Sequence, residues 1–172
     1  MKYPHLDFFV SGKAEPEPRH RSERGRARHD GRADAWKCAV RLAAFEALGI
    51  EPADGPSGRP IGRPVWAPES HRPVFPAGVP VVLGLEFWLR RPPTQLTQFG
   101  KLIKGAPLVP VGKPDLDNLI KAVKDALGDW LKRGSILWHD DAQVVQYMPC
   151  PVKLFDDHHP AGCRVQASCW TP

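Results

Sequence analysis

The sequence predicts one α+β domain in which a mixed sheet of about four to five strands carries two main helices. Three observations lead there. Residues Val79 to Leu89 alternate, with Val81, Leu83, Leu85, Phe87 and Leu89 on one side and Val82, Gly84, Glu86 and Trp88 on the other, the period of a strand with one face on a core. Two other stretches repeat at three- and four-residue steps, the period of an amphipathic helix. The chain has 172 residues, 42% of them hydrophobic, enough for one domain with a sizeable core.

In chain order, Leu6 to Val10 is a short apolar strand that runs into Ser11–Pro18, where prolines stop regular structure. Six arginines then fall between Arg19 and Arg32, against only Glu23 and Asp30, and form the strongest basic cluster in the chain. Ala33 to Leu48 reads as the first helix: Trp36, Val40, Ala43, Ala44 and Ala47 fall on one face, and Gly49 supplies the stop. Between Glu51 and Gly78 seven prolines and four glycines break any period, so an irregular surface loop is expected.

After the long strand, Arg90-Arg91-Pro92-Pro93 opens a basic loop with Lys101 and Lys104. A second helix is expected from near Asp117, with Leu116, Leu119, Ile120, Val123, Leu127, Trp130 and Leu131 as its apolar stripe and Gly134 past its end. Ser135 to Trp138 is strand-like, and Val144, Val145, Tyr147 and Met148 continue beyond Asp140-Asp141, which would sit in a tight link or at a strand entrance. Asp156-Asp157-His158-His159, before Pro160-Ala161-Gly162, reads as a hairpin loop joining the last strands.

Charge narrows the partners. Lys and Arg number 24 against 19 Asp and Glu, a formal charge of +5 that favours a polyanion. No apolar run approaches membrane-spanning length and the start of the chain lacks the apolar stretch of a signal peptide, so a cytoplasmic protein with no membrane partner is expected. Cys38, Cys150, Cys163 and Cys169 show no paired CxxC spacing and read as reduced thiols, and Cys150, His158, His159 and Cys163 match no familiar zinc spacing.

The chemistry concentrates in Lys113-Pro114-Asp115-Leu116-Asp117-Asn118-Leu119-Ile120-Lys121 and in the later pair Asp140-Asp141. A nuclease must hold hard divalent cations beside a phosphate, which requires converging carboxylates with a lysine close by. Asp117 stands at a helix start, where exposed N–H groups and the helix dipole favour anions, and Lys121 lies one turn along on the same face. The plain alternative is that Asp117 caps the helix and pairs with Lys121 on the surface. Asp140-Asp141 tilts the balance, because a turn needs one such residue, whereas two adjacent acids repel unless a cation or basic group relieves them.

The run KPDLDNLIKAVKDAL, followed by WHDDAQVV, resembles the signature of RusA-type Holliday-junction resolvases, crossover-junction endodeoxyribonucleases of prophages and bacteria. The similarity is close from Lys113 to Tyr147, looser over the first strand, the Arg-rich loop and the first helix, and finds no counterpart for Glu51–Gly78. It implies a single RusA-like domain over residues 1–172, with a Pro/Gly-rich insertion at 51–78 and a basic loop at 19–32. It also implies Asp115, Asp117 and Asp141 as essential acids that hold Mg²⁺ or Mn²⁺, Lys121 as the essential lysine, and Asp140 as a further metal-side acid. The implied enzyme is a homodimer, nucleoid-associated, that nicks four-way DNA junctions symmetrically and takes no small-molecule substrate. Backbone contacts to DNA are expected from Arg19, Arg21, Arg24, Arg26, Arg28, Lys101, Lys104 and Lys113. A branched-DNA binder that does not cut, and a metal-dependent nuclease of broader taste, remain as alternatives.

Overall fold

The computed structural model describes residues 3–17, 22–23, 26–27, 33–54, 65–128 and 134–171. In chain order the elements are β1 (Leu6–Ser11), β2 (Ser22–Glu23), β3 (Arg26–Ala27), α1 (Asp34–Leu48), β4 (Ala53–Asp54), β5 (Val65–Trp66), β6 (Val81–Leu89), α2 (Leu116–Leu127), β7 (Val144–Tyr147), β8 (Val152–Phe155) and β9 (Gly162–Cys169). The expected class holds: two α-helices and a five-stranded mixed sheet lie among the described residues.

β6 organises the sheet. Its alternating sequence puts Val81, Leu83, Leu85 and Phe87 fully inside, each burial contributing roughly 1.5–3 kcal/mol. β9 pairs antiparallel along one edge of β6, from Val81↔Cys169 to Trp88↔Gly162, and β1 pairs antiparallel with β9 beyond it. Two parallel partners share the other edge: β7 beside the start of β6 and β8 beside its end, Glu86↔Val152 to Leu89↔Phe155. Gly84 lies where the chain passes from β7 to β8, and a Cβ there would come within 2.8 Å of the Met148 carbonyl oxygen, so no larger residue fits without movement.

Both helices pack over the inward face. α1 buries Trp36, Val40, Ala44 and Phe45, and Gly49 ends it in the left-handed conformation at φ 65°, as its sequence predicts. Ala47, expected on the apolar stripe, is exposed, and Phe45 takes the inward place. α2 buries Leu119, Ala122, Val123, Ala126 and Leu127.

Several expectations need correction. α2 ends at Leu127 with Gly128 as its C-cap; Trp130 and Leu131 lie outside the described residues. Ile136, Leu137 and Trp138 are fully buried but form no strand: Ile136 and Leu137 donate to the Leu127 carbonyl, and Trp138 makes a single bridge to Phe75. Their apolar run reflects burial, which periodicity over four residues cannot distinguish from a strand. Asp156–Ala161 is not a hairpin, because β8 and β9 flank opposite edges of β6 and the link must cross over that strand. Within the expected loops at 19–32 and 51–78, β2 pairs with β3 and β4 with β5, two residues each.

Candidate active site

α2 begins one residue before Asp117. Asp115 is the N-cap, in extended conformation (φ −69°, ψ 138°), and its carboxylate makes no capping hydrogen bond. Asp117 lies in the first turn and is exposed. Lys121 does not pair with Asp117. Its ammonium donates to both oxygens of Asp125, one turn further on, at 3.0 and 2.9 Å. Partial burial works against the charged form of Lys121, but the hydrogen bonds and charge of Asp125, with Glu17 and Asp141 nearby, hold its pKa above the ordinary value.

Behind this pair lies an ionic cluster with no local sequence signal. Lys37 of α1 is buried and contacts the carboxylate of Glu17, and its ammonium is 3.6 Å from Asp125. The Glu17 amide donates to the Asn118 carbonyl at 2.9 Å, which anchors the chain leading into the arginine-rich segment on the second helix of the site. Buried charges persist only when paired in this way.

The second acidic segment arrives at the entrance to β7, as expected. Asp140 and Asp141 have separate tasks there. Asp140 caps a single 3₁₀ turn, Asp141–Gln143: its carboxylate accepts the Ala142 amide at 2.7 Å, while Gln143 Oε1 accepts the His139 and Asp140 amides. The Gln143 side chain is buried, and its amide group reaches the carbonyls of Phe75, Pro76 and Val79 at 2.8–3.3 Å, pinning the turn to the segment before β6. Asp141 turns instead toward α2. Its carboxylate is 3.6 Å from the Lys124 ammonium and accepts the Trp138 indole N–H at 3.4 Å. Burial, and then the charge of Asp141, raises the Tyr147 phenol above its ordinary pKa.

Lys153 of β8 completes the frame. Its ammonium donates to the carbonyls of Gly112 (2.8 Å) and Pro114 (2.9 Å), the residues either side of Lys113 and immediately ahead of Asp115.

Asp117, Lys121, Lys124 and Asp141 thus border one face of α2, whose positive N-terminal end favours a phosphate. All the predicted acids are hard oxygen donors, of the type that suits Mg²⁺ or Mn²⁺. Among the described residues, however, no group of three His, Cys, Asp or Glu is close enough to hold a metal ion. Lysine side chains provide the counter-charge: Lys124 for Asp141 and Lys121 for Asp125.

Of the residues expected to contact DNA, Lys101, Lys104 and Lys113 are exposed on the loop between β6 and α2. That loop also exposes Phe99, Leu108 and Val111 almost fully. Arg26 lies in β3, while Arg19, Arg21, Arg24 and Arg28 lie outside the described residues. Among the described residues no helix is long and apolar enough to cross a membrane.

A comparison with curated proteins found no match. Residues 65–165, more than half of the chain, match the family model of Endodeoxyribonuclease RusA, a span that contains both acidic segments, α2 and the sheet strands from β6 to the start of β9. The chain belongs to the RusA endodeoxyribonuclease family.

Proposed function

We propose that this chain is a Mg²⁺-dependent structure-specific endodeoxyribonuclease that resolves four-way DNA junctions by paired, symmetric nicking. The observation that carries the reading is the approach of Asp141 to the α2 face that bears Lys121, one turn from Asp117, and Lys124, two turns from it. Two sequence segments about twenty residues apart converge where a phosphate-cleaving centre needs acids and cations together.

In this reading Asp115, Asp117 and Asp141 hold the divalent cation, with Asp140 supporting the turn beside it. When bound, Mg²⁺ or Mn²⁺ supplies Lewis acidity and positive charge beside the phosphate. The protein's own groups do the rest. The α2 N-terminus orients the phosphate through its unpaired N–H groups. Lys121, kept protonated by Asp125, neutralises charge that accumulates on the phosphate as water attacks and the 3′ oxygen departs. Lys101, Lys104 and Lys113, with Arg19, Arg21, Arg24, Arg26 and Arg28, grip the backbone of the junction arms.

Two symmetric cuts require two sites, so the working unit is a homodimer of the 172-residue domain, acting on DNA in the cytoplasm at the nucleoid. The test is cleavage of a synthetic four-way junction beside a linear duplex of the same sequence, in Mg²⁺ or EDTA, with wild type and Asp117→Asn. Metal-dependent nicking of the junction alone, lost in Asp117→Asn, supports the proposal. Binding without cutting in any divalent metal overturns the nuclease reading, and equal cutting of both substrates overturns the junction preference.

A further inference from the structure

We infer that Phe99 distinguishes a branch point from continuous duplex, its ring stacking on a DNA base left unstacked where the arms meet. The inference rests on the DNA-cutting reading above and assigns the recognition of DNA structure to a hairpin turn between β6 and α2. Residues 95–103 fold back on themselves. The Thr97 amide donates to the Lys101 carbonyl at 2.7 Å and the Ile103 amide to the Gln95 carbonyl at 3.1 Å, while Leu96 bridges antiparallel to Leu102. Gly100 closes the turn in the left-handed conformation at φ 74°, its amide donating to the Thr97 carbonyl. Phe99 stands at the tip, 80% exposed, two residues from Lys101. Buried Arg91 clamps the base of the hairpin. Its guanidinium donates to both carboxylate oxygens of Asp157 (2.7 and 2.5 Å), to the Gln95 side chain (3.0 Å) and to the Pro107 carbonyl (2.9 Å), so one fork ties both ends of the turn to the link after β8.

A large aromatic side chain held at a braced tip, away from the core, is a contact waiting for a partner. The surrounding charge selects that partner. Across residues 90–114 the sequence carries Arg90, Arg91, Lys101, Lys104 and Lys113 and no Asp or Glu, a field that attracts a polyanion. The flat apolar surfaces that DNA can offer a phenyl ring are the faces of its bases. Continuous duplex hides them in the stack, whereas a branch point opens the stack, and aromatic side chains bind such faces or wedge between them. Lysine contacts alone cannot make the distinction, because phosphates line both substrates. A hairpin already closed by its own hydrogen bonds and by Arg91 loses little freedom when it engages.

The experiment is carried out in EDTA, so that binding is read apart from cutting. A synthetic four-way junction and a linear duplex of the same sequence carry 5-iodouracil at the branch point or in the middle of an arm, and wild type, Phe99→Trp and Phe99→Ala are compared. Photocross-linking followed by peptide mass spectrometry should find Phe99 joined to the branch-point base and not to the mid-arm base. Phe99→Ala should weaken junction binding about tenfold and leave duplex affinity within about twofold, while Phe99→Trp keeps the preference. Should Phe99→Ala not fold, Phe99→Leu, which keeps apolar bulk without the ring, serves the same readout. A junction preference that survives in Phe99→Ala, or a wild-type junction complex without the Phe99 cross-link, overturns the role of Phe99 and leaves the nuclease reading standing. Equal weakening on both substrates makes Phe99 a general DNA contact and overturns the discrimination. A smaller assembly on sedimentation of Phe99→Ala makes it a contact with a second copy of the chain and likewise overturns it. Wild type that binds the junction no better than the duplex removes the junction preference proposed above, and this inference with it.

Discussion

The ammonium of Lys124 stands 3.6 Å from the carboxylate of Asp141 and closes α2 against the turn that leads into β7. The lysine side chain is mostly buried and the aspartate nearly half exposed, so screening limits the pair to about 1 kcal/mol or less. A divalent cation that takes Asp141 replaces that partnership. Lys124→Met should lower the melting temperature in EDTA, and saturating Mg²⁺ should shrink the difference. An equal loss with and without metal would mean that Asp141 takes no part in metal binding.

The division of labour between the adjacent acids gives a sharper contrast. Asp141→Asn should reduce single-turnover nicking at least about 100-fold while leaving junction binding intact. Asp140→Asn keeps a side-chain oxygen for the Ala142 amide and should stay within about tenfold of wild type, because Asn caps as well as Asp. Equal losses in the two variants would show that Asp140 serves the chemistry directly.

Lys121 sets an expectation for pH. Asp125, with Glu17 and Asp141, raises its folded-state pKa above the ordinary value of 10.5 despite partial burial. The stability it contributes is fully present below its unfolded pKa and is lost only as pH rises through the higher folded value. Lys121 therefore stays charged through the whole range of a nicking assay. Between neutrality and pH about 9, wild type and Lys121→Arg should show pH–rate profiles of the same shape. Lys121→Ala should lose about 10²–10³ in kcat with little change in affinity. An alkaline fall present in wild type and absent in Lys121→Arg would contradict this assignment.

Arg41 has a structural task of comparable weight. Its guanidinium is fully buried and donates to the carbonyls of Ala126 (2.8 Å), Gly128 (3.3 Å) and Gly134 (2.8 Å), closing the C-terminal end of α2. Arg41→Met leaves buried carbonyls unpaired and should cost about 3 kcal/mol in denaturant unfolding. A loss under about 1 kcal/mol would show that water replaces the guanidinium.

The basic loop is tested by salt. For each of Lys101→Ala and Lys104→Ala, the slope of log affinity against log salt should fall by about one, with kcat at saturating junction unchanged. An unchanged slope would remove that lysine from the DNA path.

What the sequence disclosed depended on the range of each interaction. β6 was legible because its period of two is local, and α2 because its buried residues recur within single turns. Asp115, Asp117 and Asp141 stood out as carboxylates in short strings, while the approach of Asp141 to Lys124 did not, since Lys124 is only one more charge on a polar helix face. Lys37, Arg41, Gln143 and Lys153 gave no signal at all. Each acts through partners tens of residues away, Arg41 through a carbonyl 85 positions on, and a lone polar residue looks the same in sequence whether it is solvated or buried. Ser135–Trp138 failed as a strand for a related reason: a four-residue apolar run reports burial and not the backbone that achieves it.

The position of β9 between β1 and β6 fixes when the domain can assemble. During synthesis β1 emerges first and β6 midway, yet both must wait for the strand that joins them, which is made last. Until then the edges that face β9 stay open to pairing with other chains. A chain that stops short of β9 therefore leaves β1 with no partner strand among the described elements.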